Sequence, residues 1–245
     1  MVRLLSLAAF FATWLIGSAL AGPQMLPGPV AVAEAIVSEA RSGALFIHLG
    51  ATLARVLLAF ALAMTFGTAL GILMGRSPTA DRLGDPWLVI LLNLPALVVV
   101  VLAYIWGGLT ETAAIAAVAI NKLPTAIVTV REGARALDPT LDEMAQVFAL
   151  PRLKALRHIV IPQLAPYLAA AGRTGLSLVW KIVLIVELLG RPNGVGFEIG
   201  VAFQLFDVTR ILAYALAFIA VMLAIETFLV QPLERHVARW RPKPA

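Results

Sequence analysis

Chemistry, if this chain performs any, must come from few ionisable residues: 19 Lys and Arg, 14 Asp and Glu and three His among 245. His48, His158 and His236 lie far apart, and no H-E-x-x-H or similar spacing joins them to a carboxylate, so a metal centre is not expected. Cysteine is absent, which removes thiolate nucleophiles, thiolate metal ligands and disulfides. No Ser/His/Asp or paired-carboxylate arrangement stands at a credible spacing. No G-x-x-x-x-G-K-[ST] phosphate loop occurs. The chain is therefore not expected to be an enzyme, to bind ATP or to carry a cofactor. What remains is unusual: Lys122, Arg173, Lys181 and Glu187 sit deep inside apolar segments. A charge at mid-bilayer costs at least about 2.5–3.5 kcal/mol, so it normally faces a bundle interior, a water-filled cavity or a partner. The commoner origin of such charges is snorkelling, or pairing with Glu187 or backbone carbonyls. The functional reading is a cationic pathway for an anionic solute, with Arg173 the best placed of the four.

A second group of residues points to recognition. Residues 131–158 join two apolar segments and carry a helical pattern of their own. Asp138-Pro139 supplies an N-cap and a proline at the first helical position. Thr140-Leu141-Asp142-Glu143 offers a second, overlapping start as a capping box, and the acids of that turn suit the helix dipole. Met144, Val147, Phe148 and Ala149 follow, Pro151 stops the helix, and Arg152, Lys154 and Arg157 lie beyond. A short capped helix with an apolar face cannot bury itself alone. It packs on the ends of its own bundle or lies in a groove on a partner protein, and these residues alone leave both open.

The elements that must hold these residues are membrane helices. The chain is 61% hydrophobic and 13% charged, with a mean hydropathy of +0.93; a soluble domain has about a quarter of its residues charged. About 20 apolar residues span a bilayer core of about 30 Å, and candidate spans fall near 4–21, 51–74, 87–106, 112–130, 159–189 and 211–230. The expected fold is an all-α, polytopic bundle of about six transmembrane helices with one short cytoplasmic helix. The first block also reads as a signal peptide with small residues at Ser18-Ala19-Leu20-Ala21; its length and the spans that follow favour a retained helix. Pro95 and Pro124 are expected to interrupt the third and fourth spans, and Pro162 and Pro166 to kink the start of the fifth. Residues 23–50 read as an amphipathic outer-surface segment. With the N-terminus inside, about 12 Lys and Arg fall on cytoplasmic segments against three outside, at Arg41, Arg191 and Arg210. Both termini are then cytoplasmic in a multi-pass protein of the cell inner membrane. The net charge of +5 follows from this bias, and nucleic acid is not an expected partner. Trp87, Trp106, Trp180 and Trp240 lie near span ends, as in an interfacial belt.

Glu143-Met144-Ala145, three residues, Ala149, nine residues and Ile159-Val160-Ile161-Pro162 resembles the EAA motif of ABC importer permeases: Glu-Ala-Ala, three residues, Gly, nine residues, Ile-x-Leu-Pro. Ala149 stands where that family has glycine and Ile161 where it usually has leucine. Alanine permits the expected turn only if its backbone keeps a negative φ. The stretch from His48-Leu49-Gly50 to Arg55-Val56 is similar to the segment opening the permease domain of the nitrate/sulfonate/taurine-type subfamily. So are Gly67, Gly71, Gly75-Arg76, Leu94-Pro95-Ala96, Gly172-Arg173, Trp180, Glu187 and Gly194-Val195-Gly196. The resemblance implies residues 1–47 as first helix and outer segment, 48–232 as permease domain and 233–245 as a basic cytoplasmic tail. It also implies that Glu143, Met144, Ala145, Val147, Phe148, Ala149 and Pro162 belong to a coupling element docking on a separate ABC ATPase subunit. Two copies of the permease would pair around a pathway in the lipid membrane, and an extracytoplasmic solute-binding protein would deliver the solute. The alternative is an ion-gradient-driven secondary transporter or channel, which calls for inverted repeats and broken helices; no convincing repeat stands out. An intramembrane enzyme lacks converging catalytic residues.

Overall fold

The computed structural model describes residues 2–233, and of residues 2–4, 7, 142, 146 and 152 the backbone alone. The expected basic tail therefore lies, from residue 234 on, outside the described residues. Every regular element described is helical. In a bilayer the backbone of an apolar run must satisfy its own hydrogen bonds, and a helix does so within one segment. In chain order the helices are α1 (Val2–Ala21), α2 (Pro29–Arg41), α3 (Ala44–Arg76), α4 (Pro78–Asn93), α5 (Ala96–Gly107), α6 (Glu111–Arg135), α7 (Pro139–Val147), α8 (Arg152–Ala155), α9 (Ile161–Gly190), α10 (Val195–Gln204) and α11 (Val208–Ile225), with π-turns at Leu156–Val160 and Glu226–Val230.

Four described helices are long and apolar enough to cross a membrane, and a fifth crossing is reached if α4 and α5 count as one. That pair bends by 98°. Its break is where proline puts it: Leu94, before Pro95, takes the extended conformation at φ −73°, ψ 124°. The stretch expected as the third span is thus two helices broken at Pro95. Pro124, in contrast, leaves α6 continuous, against the expectation of an interruption. Along the same stretch the Asn121, Thr125 and Thr129 side chains donate back to the carbonyls of Ala117, Lys122 and Thr125. The fifth span is also continuous, from Leu153 to Gly190, and Pro162 follows a π-turn that widens the backbone just before it. The expected first span corresponds to α1, whose apolar stretch is the shorter Ala8–Ala21.

The chain forms two compact units. In the unit made of residues 2–54 and Leu184–Ala224, a buried polar network replaces a purely apolar core. Glu187, fully buried, accepts from Thr52 Oγ1 at 2.9 Å and from the Gly196 N–H at 2.8 Å. The Val195 N–H donates to Thr52 Oγ1, and the Gly194 N–H to His48 Nδ1 at 3.0 Å. His48 Nε2 lies 3.1 Å from Glu198, whose other oxygen is 2.7 Å from Arg210. Tyr214 Oη donates to Glu39 at 2.7 Å. Gly194 adopts φ +115°, and a Cβ there would fall 2.2 Å from the Glu187 carboxyl carbon, so no other residue fits this turn.

The unit made of Arg55–Val183 and residues 225–233 is built on a close helix crossing. A Cβ on Gly67, Gly71 or Gly75 of α3 would lie 2.6, 2.7 or 2.5 Å from the Cβ of Ala126, Val130 or Ala134 of α6. Both helices repeat these positions every four residues, the small-xxx-small pattern by which membrane helices bring backbones together. Within this unit Arg55, buried, is held bidentately by Glu111 at 2.6 and 2.9 Å. Arg131 pairs with Asp85 at 2.6 Å and Asp81 at 3.2 Å, tying α6 to α4. Ala134, Val160 and Leu164 form a buried cluster with Leu137, Leu156 and Tyr167 against it. This cluster joins the end of α6 to the start of α9, where α7 is suspended.

Candidate coupling helix and membrane pathway

α7 starts at the first of the two expected signals. Asp138 Oδ1 accepts from the Thr140 N–H at 2.9 Å and from Thr140 Oγ1 at 2.7 Å, with Pro139 at the first helical position. The overlapping capping box is not used, because Thr140 is already inside the helix. The two hydrogen bonds from Thr140 hold the Asp138 carboxyl below the usual carboxylate range. The cap is therefore complete above that range and weakens as pH falls through the lowered value. The Asp138 N–H, which a capping-box glutamate would satisfy from within the helix, instead donates to Gln163 Oε1 of α9 at 3.0 Å.

The helix ends in a Schellman turn: the Leu150 N–H returns to the Ala145 carbonyl at 2.9 Å. Ala149 makes that turn at φ +47°. The expectation of a negative φ is thereby corrected: alanine takes the glycine conformation, because the turn and the proline stop behind it leave the chain no other exit. Left-handed geometry costs a residue with a Cβ about 1–2 kcal/mol. Ala149→Gly is expected to stabilise the corner by at most about 1 kcal/mol, since glycine also loses more entropy on folding. Ala149→Val, β-branched, is expected to destabilise it by more than about 1 kcal/mol. Thermal unfolding of the purified protein and amide exchange over residues 144–150 would measure both.

Around α7 the apolar side chains divide. Ala145 is buried at 7% exposure, whereas Val147 is 82%, Phe148 71% and Leu153 76% exposed, with Met144 exposed beside them. The apolar face that the sequence places here is thus not covered by the chain's own helices. Glu143 and Ala149 are exposed as well, and Pro162 is exposed at the first turn of α9.

The four intramembrane charges part in the same way. Lys122 is 1% exposed; its alkyl chain crosses α9 at Gly175, where a Cβ would meet it at 2.1 Å, and its Nζ donates to Thr125 Oγ1 at 3.0 Å. Glu187 belongs to the buried network already described and presents no surface. Arg173 and Lys181, in contrast, are exposed on α9 together with Thr174 and Ser177. The hydroxyls of Thr174 and Ser177 turn back to the carbonyls of Ala170 and Thr174, each at 2.9 Å. Arg173 Nε lies 3.4 Å from Glu226. One side of a membrane helix therefore carries two cations that this chain does not bury. Among the described residues no group of His, Asp and Glu is placed to hold a metal ion.

Residues 67–240 match the family described as binding-protein-dependent transport system inner membrane component. The chain belongs to this family. A Bacillus subtilis permease protein named for aliphatic sulfonates transport, SsuC, is 29% identical over 98% of this chain and 88% of its own length. The bicarbonate transport system permease protein CmpB of Synechococcus elongatus is 27% identical over 98% and 90%. A chain of the MetNI methionine ABC transporter, solved in inward-facing conformations, superposes with a TM-score of 0.67 at 16% identity, covering 81% of this chain and 98% of that one. That superposition speaks for the fold. The chain is an ABC importer permease of the inner membrane, which decides against the ion-gradient-driven alternative.

Several residues that shape the permease site escape a reading of the sequence. Gln163 lies 25 positions from the amide it caps, so no local pattern marks it. The network of Glu39, Thr52, Glu198 and Tyr214 joins residues up to 175 positions apart. The glycine ladder at 67, 71 and 75 is different, since G-x-x-x-G spacing in an apolar helix is a readable interface signal.

Proposed function

We propose that α7 is the lever by which a separate ABC ATPase subunit drives this permease, and that two copies pair around a pathway for a small oxyanion. The carrying observation is the uncovered apolar side chains of Val147 and Phe148 at the end of a short helix whose start is hydrogen-bonded to α9 and which lies between α6 and α9 in the chain. Apolar side chains exposed on a short rigid helix fit the helix-in-groove mode of recognition. Movement of an ATPase pair would reach the spans as rigid-body displacement through such a helix. The excess of Lys and Arg on the segment containing α7 supports a cytoplasmic α7 and cytoplasmic termini. Glu143, Met144, Ala145, Val147, Phe148, Ala149 and Pro162 make up the coupling element in this reading. A solute-binding protein would deliver its cargo from the opposite side.

Arg173 and Lys181 supply the positive lining, and relatives named for sulfonates and for bicarbonate support an anionic solute. Lys122 and Glu187 would act on the pathway only by holding α9 and the 194–196 turn in place. The test is reconstitution of the permease with its ATPase subunit and binding protein in proteoliposomes. Expected are co-purification of the ATPase and ATP-dependent uptake of a sulfonate or bicarbonate. Arg173→Gln and Lys181→Gln should each reduce that uptake while the ATPase still co-purifies. Uptake without ATP, or a permease that recruits no ATPase, would overturn the reading.

A further inference from the structure

The geometry points to Gln163 as the positioning residue that sets the angle of α7, through its side-chain oxygen on the Asp138 N–H. This inference rests on the lever reading of α7 and goes beyond it, because Gln163 is not among the residues assigned to the docking element. A helix leaves its first amide groups without partners. Two of those at the start of α7 are accounted for internally: Pro139 has no N–H, and the Thr140 N–H meets Asp138 Oδ1. The Asp138 N–H, at the cap itself, has its partner outside the helix, 3.0 Å away on the first turn of α9. That bond is the polar tie between the N-terminus of α7 and the span that carries Arg173 and Lys181, beside the apolar packing of Leu137 on the cluster of Ala134, Val160 and Leu164.

The other constraints on α7 are less specific about angle. Its C-terminus is set by the Schellman turn at Ala149, which closes on α7 itself. Ala145 is buried, and contact of a single methyl side chain resists sliding weakly. The segment entering α7 follows Ala136, whose N–H returns to Glu132 and Gly133 in α6. Without the Gln163 bond, α7 keeps its cap at Asp138 but loses its polar tie to α9. A lever with a loose joint transmits less of an imposed displacement.

An intramolecular hydrogen bond contributes about 0.5–1.5 kcal/mol net, or about 2- to 10-fold in an equilibrium. Gln163→Met keeps length and removes the oxygen acceptor; Gln163→Glu keeps an acceptor, and its added charge near exposed Asp138 is largely screened. Hydrogen exchange by mass spectrometry on the complete complex in lipid nanodiscs reads the bond directly. Expected for Gln163→Met is exchange about 2- to 10-fold faster over residues 138–147, with α3 and α11 at the wild-type rate. Affinity for the ATPase subunit should fall by a similar factor, and Gln163→Glu should restore both. Wild-type exchange in Gln163→Met overturns the inference. So does faster exchange with unchanged affinity, which would make the bond merely structural. Phe148→Asp serves as the separate arm. If it binds the ATPase like the wild type, the lever reading fails, while the exchange data still decide whether Gln163 orders α7.

Discussion

Phe148→Asp is expected to abolish ATP-dependent uptake while leaving the helical bundle folded. Phe148 is 71% exposed just past the end of α7, so this chain loses little packing when it is replaced. In the complex the same side chain would lie in an apolar groove of the ATPase subunit, where anchors of this kind dominate binding. Placing an unpaired carboxylate there costs about 2–4 kcal/mol, roughly a 30- to 1000-fold loss of affinity. Co-purification of the ATPase should fall with uptake, whereas thermal unfolding of the permease alone should be unchanged. Phe148→Leu, which keeps an apolar side chain, should retain most activity. Normal uptake by Phe148→Asp at normal expression would show that the exposed face of α7 does not dock.

The other large effect is expected at the crossing of α3 and α6. A Cβ at position 71 would lie 2.7 Å from the Cβ of Val130 and 3.0 Å from the carbonyl of Ile127. Gly71→Leu adds three further carbons where even one does not fit, and backbone on the far side cannot rotate away. The helices must separate, and the contacts at Gly67 and Gly75 would open with them. A loss of more than about 3 kcal/mol is expected, at the upper end of overpacking effects. It should appear as aggregation or a strongly lowered Tm in detergent. Gly50 of the same helix meets nothing within 4 Å, so Gly50→Ala is the control. It should be neutral or stabilising by at most about 1 kcal/mol. A well-folded Gly71→Leu protein would mean that the close crossing is not what holds this unit together.

Both predictions use features of which the sequence showed a part. Asp138-Pro139 was readable as a helix start because N-capping is local: the oxygen that caps and the amides it caps lie within three residues. The same holds for the break at Pro95, where one ring forces the residue before it into the extended region. Pro124 misled because a proline inside a membrane helix removes one backbone bond without having to end the helix, and α6 runs on through it. Ala149 misled for a related reason. The cost of φ +47° at alanine is only about 1–2 kcal/mol, and closure of the turn between α7 and α8 outweighs it.

Composition and spacing by themselves determined that this chain is a membrane helical bundle and that a capped helix stands in the connection at residues 131–158. These are consequences of nearest neighbours along the chain and of the solvent: apolar runs must enter lipid, and charge must stay near water. Only the tertiary structure decided which apolar and charged residues the chain covers. Lys122 is as deep in its segment as Arg173, and Glu187 stands nearer the end of its own, yet Lys122 and Glu187 are sealed by Gly175 and the 194–196 turn while Arg173 and Lys181 are not. Burial depends on which helix crosses at that level, and that is set by contacts between residues far apart in sequence, such as Gly71 with Val130 or Glu187 with Thr52.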